Sequence, residues 1–133
     1  YLKKASEAEV RVRAVQDFLL EKNFEGLADE IMTDSDRLHN LIAHSTPKFS
    51  YLTKTSEEII DAIREFNIKK TRAAYTFDAG PNAHIITQEK YIEKLMNALK
   101  GIPGVMQTIE ASVGGGPRIV TSGALLNENG ILV

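Results

Sequence analysis

Two short apolar runs, separated by an unusual turn, most constrain what this chain can fold into. "AAYTF" (73–77) and "AHIIT" (83–87) are rich in aromatic and β-branched residues, and the intervening "DAGPN" (78–82) contains a glycine, a proline and an asparagine. Runs of this kind, bounded by turn residues, predict strands rather than helices. A tight connection between two strands is therefore expected here, with Asp78 at the mouth of the first strand.

Helical periodicity fills the sequence before these strands. Apolar residues recur at helical spacing over residues 6–22 and again over 24–44. Pro47 interrupts the pattern and predicts a loop. Thr55 and Glu58 then have the spacing of a capping box, which predicts the start of a third helix. The apolar stripe predicted for the second helix consists of Leu27, Ile31, Leu38, Leu41 and Ile42.

A second helix–strand pattern follows the two strands. Thr87 is expected to cap a fourth helix, which Gly101 ends. The alternation of "VMQTIEASV" (105–113) predicts another strand, "GGGP" (114–117) predicts a turn, and "RIVT" (118–121) is extended before a final loop and tail. This order of elements predicts an α+β domain, with a mostly antiparallel sheet covered by helices on one face.

Composition narrows the class of protein. A length of 133 residues suits one domain, and 43% hydrophobic with 26% charged residues is typical of a globular protein with a proper core. The net charge of −2 and the lack of a basic tract argue against a nucleic-acid partner. No apolar run is long enough to cross a membrane. The absence of cysteine excludes disulfides, thiolate metal sites and a cysteine nucleophile, and is compatible with a cytoplasmic location.

Asp78 is the main candidate for chemistry. A carboxylate at the end of a strand can act as a general base or orient a hydroxyl group. Gly80 permits a positive φ and close approach of a ligand, Pro81 fixes the next dihedral, and Asn82 offers an amide. The alternative is a tight turn in which the Asp78 carboxylate accepts hydrogen bonds from its own loop amides. Composition alone favours this second interpretation.

Other polar groups carry weaker signals. The glycines of 114–117 lack the lysine and hydroxyl residues of a phosphate-binding loop. The spacing of His39, His44 and His84 does not indicate a metal site, so each is expected to be packed or exposed. The acidic stretch 34–36 is expected to be solvated. A basic cluster of Lys69, Lys70 and Arg72 either attracts an anion or is a solvated loop.

Residues 73–85, "AAYTFDAGPNAHI", closely resemble the signature of diphosphomevalonate decarboxylases, which belong to the GHMP kinase superfamily. Residues 32–63 resemble the helix, histidine and proline-containing loop of the same family. Residues 109–120, "IEASVGGGPRIV", resemble its glycine-rich turn near the C-terminus. The resemblance spans most of the chain in order.

This resemblance implies a specific activity. Members use ATP to phosphorylate the 3-hydroxyl of a mevalonate phosphate, after which phosphate and CO2 leave and isopentenyl phosphate or diphosphate remains. The aspartate of the motif, here Asp78, faces that hydroxyl as the proposed catalytic base, and Gly80, Pro81 and Asn82 shape its loop to receive substrate. The implied cofactors are ATP and Mg²⁺, the implied fold is the ferredoxin-like C-terminal domain of the superfamily, and family members are commonly dimers.

The sequence also departs from the family pattern. The family's glycine- and serine-rich nucleotide loop and its basic phosphate ligands are missing, and the chain does not begin with Met. We therefore expect residues 1–133 to be the single C-terminal domain of a longer two-domain enzyme, inactive in isolation. The alternatives are a GHMP-type small-molecule kinase, such as a mevalonate kinase relative, and a non-catalytic ligand-binding or dimerisation domain. The residues leave open whether His39, Asn40 and Arg118 line the site or merely pack.

Overall fold

The structure is a computed structural model that describes residues 2–117, with side chains from residue 8 onward. Three helices come first, namely α1 (Leu2–Leu20), α2 (Phe24–Ala43) and α3 (Lys54–Asn67). Two strands follow, β1 (Ala73–Phe77) and β2 (Ala83–Thr87), and after them a 3₁₀ turn (Glu89–Tyr91) and α4 (Ile92–Lys100). None of the helices described over residues 2–117 is long and apolar enough to cross a membrane.

The two strands form an antiparallel pair with the predicted bounds. Ala73 lies opposite Thr87, and Phe77 lies opposite Ala83, so residues 78–82 connect the strands directly. Four of the five residues of β1 are buried, whereas those of β2 alternate between half-buried and exposed. The predicted α+β class is confirmed, and β1 is the strand around which the domain is organised.

Helices cover one face of β1. Side chains of alternate strand residues share a face, and Ala73, Tyr75 and Phe77 form one apolar row. This row packs against α3 and α4 in a core completed by Ile59, Ile60, Ile63, Leu95 and Leu99. Helix α2 packs on β1 as well, and α1 packs on α2. The buried row therefore ties both later helices to the strand that ends at Asp78.

Two predicted helix caps, Thr55 and Thr87, are wrong. The capping box of α3 uses Thr53 and Ser56, because Thr53 has the extended backbone (φ −101°, ψ 172°) that a cap requires. Thr55 already lies within the helix, and its hydroxyl donates to the Pro103 carbonyl at 3.2 Å. Thr87 caps nothing, since its hydroxyl donates to the Arg72 carbonyl at 2.7 Å. The predicted end of α4 at Gly101 is confirmed.

The strand predicted over 105–113 is also wrong. Residues 105–117 have no regular secondary structure, and Met106, Ile109 and Val113 are 99%, 78% and 101% exposed. An alternating segment becomes a strand only when another strand supplies hydrogen bonds along its edge, and among residues 2–117 only β1 and β2 are paired. The extended segment predicted at 118–121, and the tail after it, lie outside the described residues.

Candidate active site

Asp78 directly follows β1, and its side chain is exposed. The turn after it is closed by the main chain, because the Gly80 N–H donates to the Asp78 carbonyl oxygen at 3.0 Å. Within the part of the chain whose side chains are described, no hydrogen bond or salt bridge engages the Asp78 carboxylate. The carboxylate therefore accepts no hydrogen bond from the amides of its own loop. Composition had favoured the interpretation that it does.

Glycine is favoured at position 80 by the backbone conformation and not by a shortage of space for a side chain. Its φ is +147°, a region that residues with a side chain rarely adopt. A Cβ atom placed on Gly80 would have no heavy atom within 4 Å. Pro81 and Asn82 are exposed beside it. The loop thus presents open backbone next to the carboxylate, which is the arrangement expected where a ligand approaches closely.

Helix α2 binds both backbone polar groups of Phe77, the residue before Asp78. The Phe77 N–H donates to the Ser35 hydroxyl oxygen at 3.1 Å. The His39 Nε2–H donates to the Phe77 carbonyl oxygen at 3.0 Å. Ser35 and His39 are four residues apart and so lie on one face of α2. The end of β1 is therefore fixed on the edge that β2 does not occupy.

The contact with the Phe77 carbonyl oxygen determines which ring nitrogen of His39 is the donor. A carbonyl oxygen only accepts, so Nε2 must carry the proton. The other ring nitrogen, Nδ1, is buried without a hydrogen-bond partner among the described residues. The ring also packs edge-on against the Phe77 ring, with centroids 6.3 Å apart and planes at 84°. His39 is thus a packed histidine, which confirms one of the two outcomes expected for it.

The other histidines do not join this site. His44 is exposed, and its Nδ1 lies 2.7 Å from the Asn40 carbonyl oxygen of the preceding helical turn. His84 is exposed on β2, and Asn40 is exposed on α2. Among residues 8–117, no group of three or more histidine, aspartate or glutamate side chains is placed to hold a metal ion. Arg118 lies outside the described residues.

The expectation that residues 34–36 are solvated is wrong for Ser35. Ser35 is only 4% exposed, whereas Leu38 and Leu41 of the predicted apolar stripe are 42% and 52% exposed. The buried face of α2 consists of Ala28, Ser35 and His39. It is partly polar because the free edge of β1 presents backbone N–H and C=O groups, which need hydrogen-bond partners when buried.

Asp36 is partly solvated, with 42% of its side chain exposed, but its carboxylate is also engaged. The Tyr75 hydroxyl donates to the Asp36 carboxylate at 3.0 and 3.1 Å, and Arg64 donates to the Tyr75 oxygen at 3.0 Å. Burial, together with the hydrogen bond to Asp36, raises the pKa of Tyr75 to about 12. Tyr75 is therefore a neutral donor at physiological pH. Its hydroxyl joins α2 and α3 to the middle of β1.

Asn67 fixes the opposite end of β1. Its Oδ1 accepts from the Arg72 N–H at 2.9 Å and from the Ala73 N–H at 3.2 Å. Its Nδ2 donates to the Ala73 carbonyl oxygen at 2.8 Å. One side chain therefore binds both backbone polar groups of the first residue of β1.

The basic cluster and the glycine-rich segment do not meet Asp78. Arg72 immediately precedes β1, whereas Asp78 immediately follows it. Lys70 Nζ pairs with Glu25 Oε1 at 2.6 Å, and the Arg72 guanidinium lies over two aromatic rings. Residues 114–116 are exposed, and no atom lies near enough to require glycine at any of them. Neither segment contributes to the Asp78 loop within the described residues.

Comparison with known proteins identifies the family. The sequence model of the mevalonate 5-diphosphate decarboxylase C-terminal domain matches residues 2–118. The diphosphomevalonate decarboxylase of Candida albicans is 33% identical over 125 residues, which covers 81% of this chain and 34% of that protein. The chain belongs to the mevalonate 5-diphosphate decarboxylase family. It spans about a third of the length of this curated relative.

Solved structures of decarboxylases share the fold. The chain superposes on mevalonate diphosphate decarboxylase from Staphylococcus aureus with a TM-score of 0.69 at 24% identity, covering 75% of this chain and 30% of that one. It superposes on MDDEF, solved in complex with MVAPP, AMPPCP and magnesium, with a TM-score of 0.68 at 24% identity, covering 74% and 31%. The arrangement of helices and strands is thus that of decarboxylase structures.

The family match spans the Asp78 loop and the side chains that hold β1. The predicted resemblance of this chain to the diphosphomevalonate decarboxylase family is thereby confirmed. Sequence reasoning missed Ser35 and Asn67, and it left the role of His39 open. For Ser35 and His39 the available signal was their i, i+4 spacing on one helix, which places both on one face and is compatible with a shared backbone partner.

Proposed function

We propose that this chain is the C-terminal domain, residues 1–133, of an ATP-dependent decarboxylase acting on mevalonate 5-diphosphate or 5-phosphate. The product is isopentenyl diphosphate or phosphate, and Asp78 is the catalytic base. One observation carries the proposal. In a chain of the mevalonate 5-diphosphate decarboxylase family, an exposed carboxylate lies at the end of the buried strand β1, on a loop closed by its own main chain.

In this proposal the Asp78 carboxylate first orients the 3-hydroxyl of the substrate. It accepts the hydroxyl proton as the oxygen forms a bond to the transferred phosphorus. The bond between C2 and the substrate carboxylate then breaks, its electron pair forms the carbon–carbon double bond, and the phosphorylated oxygen leaves as phosphate. CO2 is the second product. Gly80, Pro81 and Asn82 give the substrate access to the carboxylate by keeping the adjacent backbone open.

ATP and Mg²⁺ are the cofactors of the proposed reaction, and they supply the transferred phosphoryl group and neutralise its charge. The structurally similar MDDEF was solved with AMPPCP and magnesium. The nucleotide loop and the basic phosphate ligands that the family resemblance implies are missing from this sequence, so we propose that both are held mainly outside this chain. A cytoplasmic location and a homodimer belong to the same proposal. The lack of cysteine and the family resemblance support them.

The test compares the full protein that contains this chain with its Asp78→Asn variant. Release of phosphate and of CO2 is measured with ATP, magnesium and each mevalonate phosphate in turn. The parent is expected to release both products together from one substrate, and the variant to lose about 10²- to 10⁴-fold in kcat. The fold should be unchanged, because the carboxylate is exposed and unengaged among the described residues.

Asp61→Asn is the matched control, since the Asp61 side chain is 80% exposed on α3 and, among the described residues, pairs only with Arg64 at 4.0 Å. Its turnover should equal that of the parent. Full turnover in Asp78→Asn would remove the catalytic role. Phosphate transfer without CO2 in the parent would make the protein a kinase, and inactivity with every substrate would make the domain non-catalytic.

A further inference from the structure

We propose that Ser35 and His39 are positioning residues for Asp78. By holding both backbone polar groups of Phe77, they set the place and direction from which the Asp78 carboxylate leaves the sheet. This inference rests on the proposed function of Asp78. Helix α2 carries no candidate catalytic group, and the inference gives it the role of positioning Asp78.

Asp78 is not held in place by contacts of its own side chain with other described residues. Its carboxylate has no hydrogen-bond or salt-bridge partner among residues 8–117, and the loop after it passes through Gly80 at φ +147°. The hydrogen bond that closes this turn, from the Gly80 N–H to the Asp78 carbonyl oxygen at 3.0 Å, lies within the loop and does not tie Asp78 to a helix. The position of the carboxylate therefore depends on the main chain before it, which is Phe77.

The hydrogen bond from His39 acts on the relevant peptide unit. The Phe77 carbonyl group lies in the same plane as the nitrogen and Cα of Asp78, because the peptide bond is planar. Fixing that carbonyl at 3.0 Å from His39 Nε2 therefore orients the plane that carries the Asp78 Cα. The Ser35 hydroxyl fixes the preceding peptide unit through the Phe77 N–H at 3.1 Å.

Both side chains are positioned for this role. Ser35 and His39 are 4% and 8% exposed, so water competes little for their hydrogen bonds. His39 also packs edge-on against the Phe77 ring, which limits rotation of the imidazole. A purely structural role is the alternative, in which the two residues only satisfy a buried strand edge, as Asn67 does at Ala73.

Ser35→Ala and Ser56→Ala form a matched pair that separates these roles. Each serine is buried, and each hydroxyl accepts one backbone N–H at 3.1 Å, from Phe77 and from Thr53 respectively. Both variants of the full protein should lose thermal stability. Only Ser35→Ala is expected to lower kcat, by about tenfold or more, because small misplacement of a reacting group slows the chemical step. KM should stay within about threefold of the parent value.

His39→Gln and His39→Leu provide the second comparison. The Gln amide nitrogen is as many bonds from Cα as Nε2 of histidine, so it can donate to the Phe77 carbonyl, whereas leucine fills the space without a donor. His39→Gln is expected to retain most of the parent kcat, and His39→Leu to lose about tenfold or more. All assays are run below the unfolding temperature of each variant.

Three results would overturn the inference. The first is an equal loss of kcat in Ser35→Ala and Ser56→Ala, and the second is equal activity in the glutamine and leucine variants of His39. The third is unchanged kcat in both Ser35→Ala and His39→Leu. If Asp78→Asn in the same series is inactive, these results refute the positioning role alone. If Asp78→Asn keeps full turnover, the proposed function and this inference fall together.

Discussion

The two ends of β1 are held by different parts of the sequence. Asn67, the last residue of α3, binds both backbone polar groups of Ala73 from only six residues away. Ser35 and His39 bind those of Phe77 from 42 and 38 residues away, on α2. The start of the strand is therefore fixed locally, whereas the end that carries Asp78 depends on the docking of a distant helix.

This difference separates the stability of the strand from the placement of its carboxylate. Closing a short segment costs less chain entropy than closing a long one, so the Asn67 contacts can form with little help from the rest of the domain. The contacts to Phe77 form only when α2 lies against β1. A change that loosens α2 should therefore disturb Asp78 before it disturbs Ala73.

Asn67→Leu is expected to have the largest effect on stability of the changes that probe this comparison. It removes three hydrogen bonds and leaves the N–H and C=O of Ala73, a residue that is 0% exposed, without partners. Unpartnered buried groups cost about 1–3 kcal/mol each, so the free energy of unfolding should fall by roughly 2–4 kcal/mol. Urea denaturation measures this loss.

Asn97→Leu on α4 is the control. Because Asn97 is exposed, this substitution should change the unfolding free energy by less than about 0.5 kcal/mol. The two ends of β1 are separated most clearly if Asn67→Leu lowers the free energy of unfolding more than Ser35→Ala does, while Ser35→Ala lowers kcat more than Asn67→Leu does. Equal stability of the Asn67 and Asn97 variants would show that the local contacts do not hold the strand.

Gly80→Ala probes the other side of Asp78 and should have a smaller effect. The backbone φ of +147° disfavours any side chain, although the added methyl group would meet no atom within 4 Å. Strain of this kind costs about 1–3 kcal/mol, and the loss should appear in thermal or urea unfolding.

Gly101→Ala gives the contrast, since Gly101 has φ −79° and its added Cβ would make only an ordinary contact at 3.5 Å. That variant should be neutral or slightly more stable than the parent. If the two alanine variants behaved alike, the conformation of the Asp78 loop would not depend on glycine.

The same division between local and distant contacts explains what the sequence could predict. The strands at 73–77 and 83–87 have the predicted bounds because their β-branched and aromatic residues lie directly beside turn residues. The burial of Ser35 and His39 could not be read in this way. Both are polar residues on an amphipathic helix, and only the backbone edge of β1 makes their burial favourable.

The remaining errors have the same physical origin. Thr53 and Thr55 are both able to cap a helix, and the backbone dihedrals of Thr53, which depend on the preceding loop, decide between them. The alternation of apolar and polar residues over 105–113 is compatible with a strand, but a strand forms only where a neighbouring strand supplies hydrogen-bond partners. The residues alone make Asp78 a candidate, and only the family signature favours a catalytic role for it over an ordinary turn, because its immediate neighbours are those of such a turn.

Tyr75→Phe tests the middle of β1 and should have the smallest effect at neutral pH. The Tyr75 pKa is raised to about 12 in the folded protein by burial and by the hydrogen bond to Asp36, against about 10 in an unfolded chain. Between these values the folded state keeps a proton that the unfolded state has lost. This contribution to stability is therefore fully present below about pH 10 and is lost as pH rises toward 12.

The measurement is the unfolding free energy of the parent and of Tyr75→Phe across this range. Between about pH 7 and 9 the two proteins should show the same slope, which is the internal control, because Tyr75 is protonated in both states there. Above about pH 10 the parent should lose stability more steeply than the variant. Equal slopes would mean that the Asp36–Tyr75 contact does not hold α2 on β1, and the long-range anchoring of the Asp78 end would then rest on Ser35 and His39 alone.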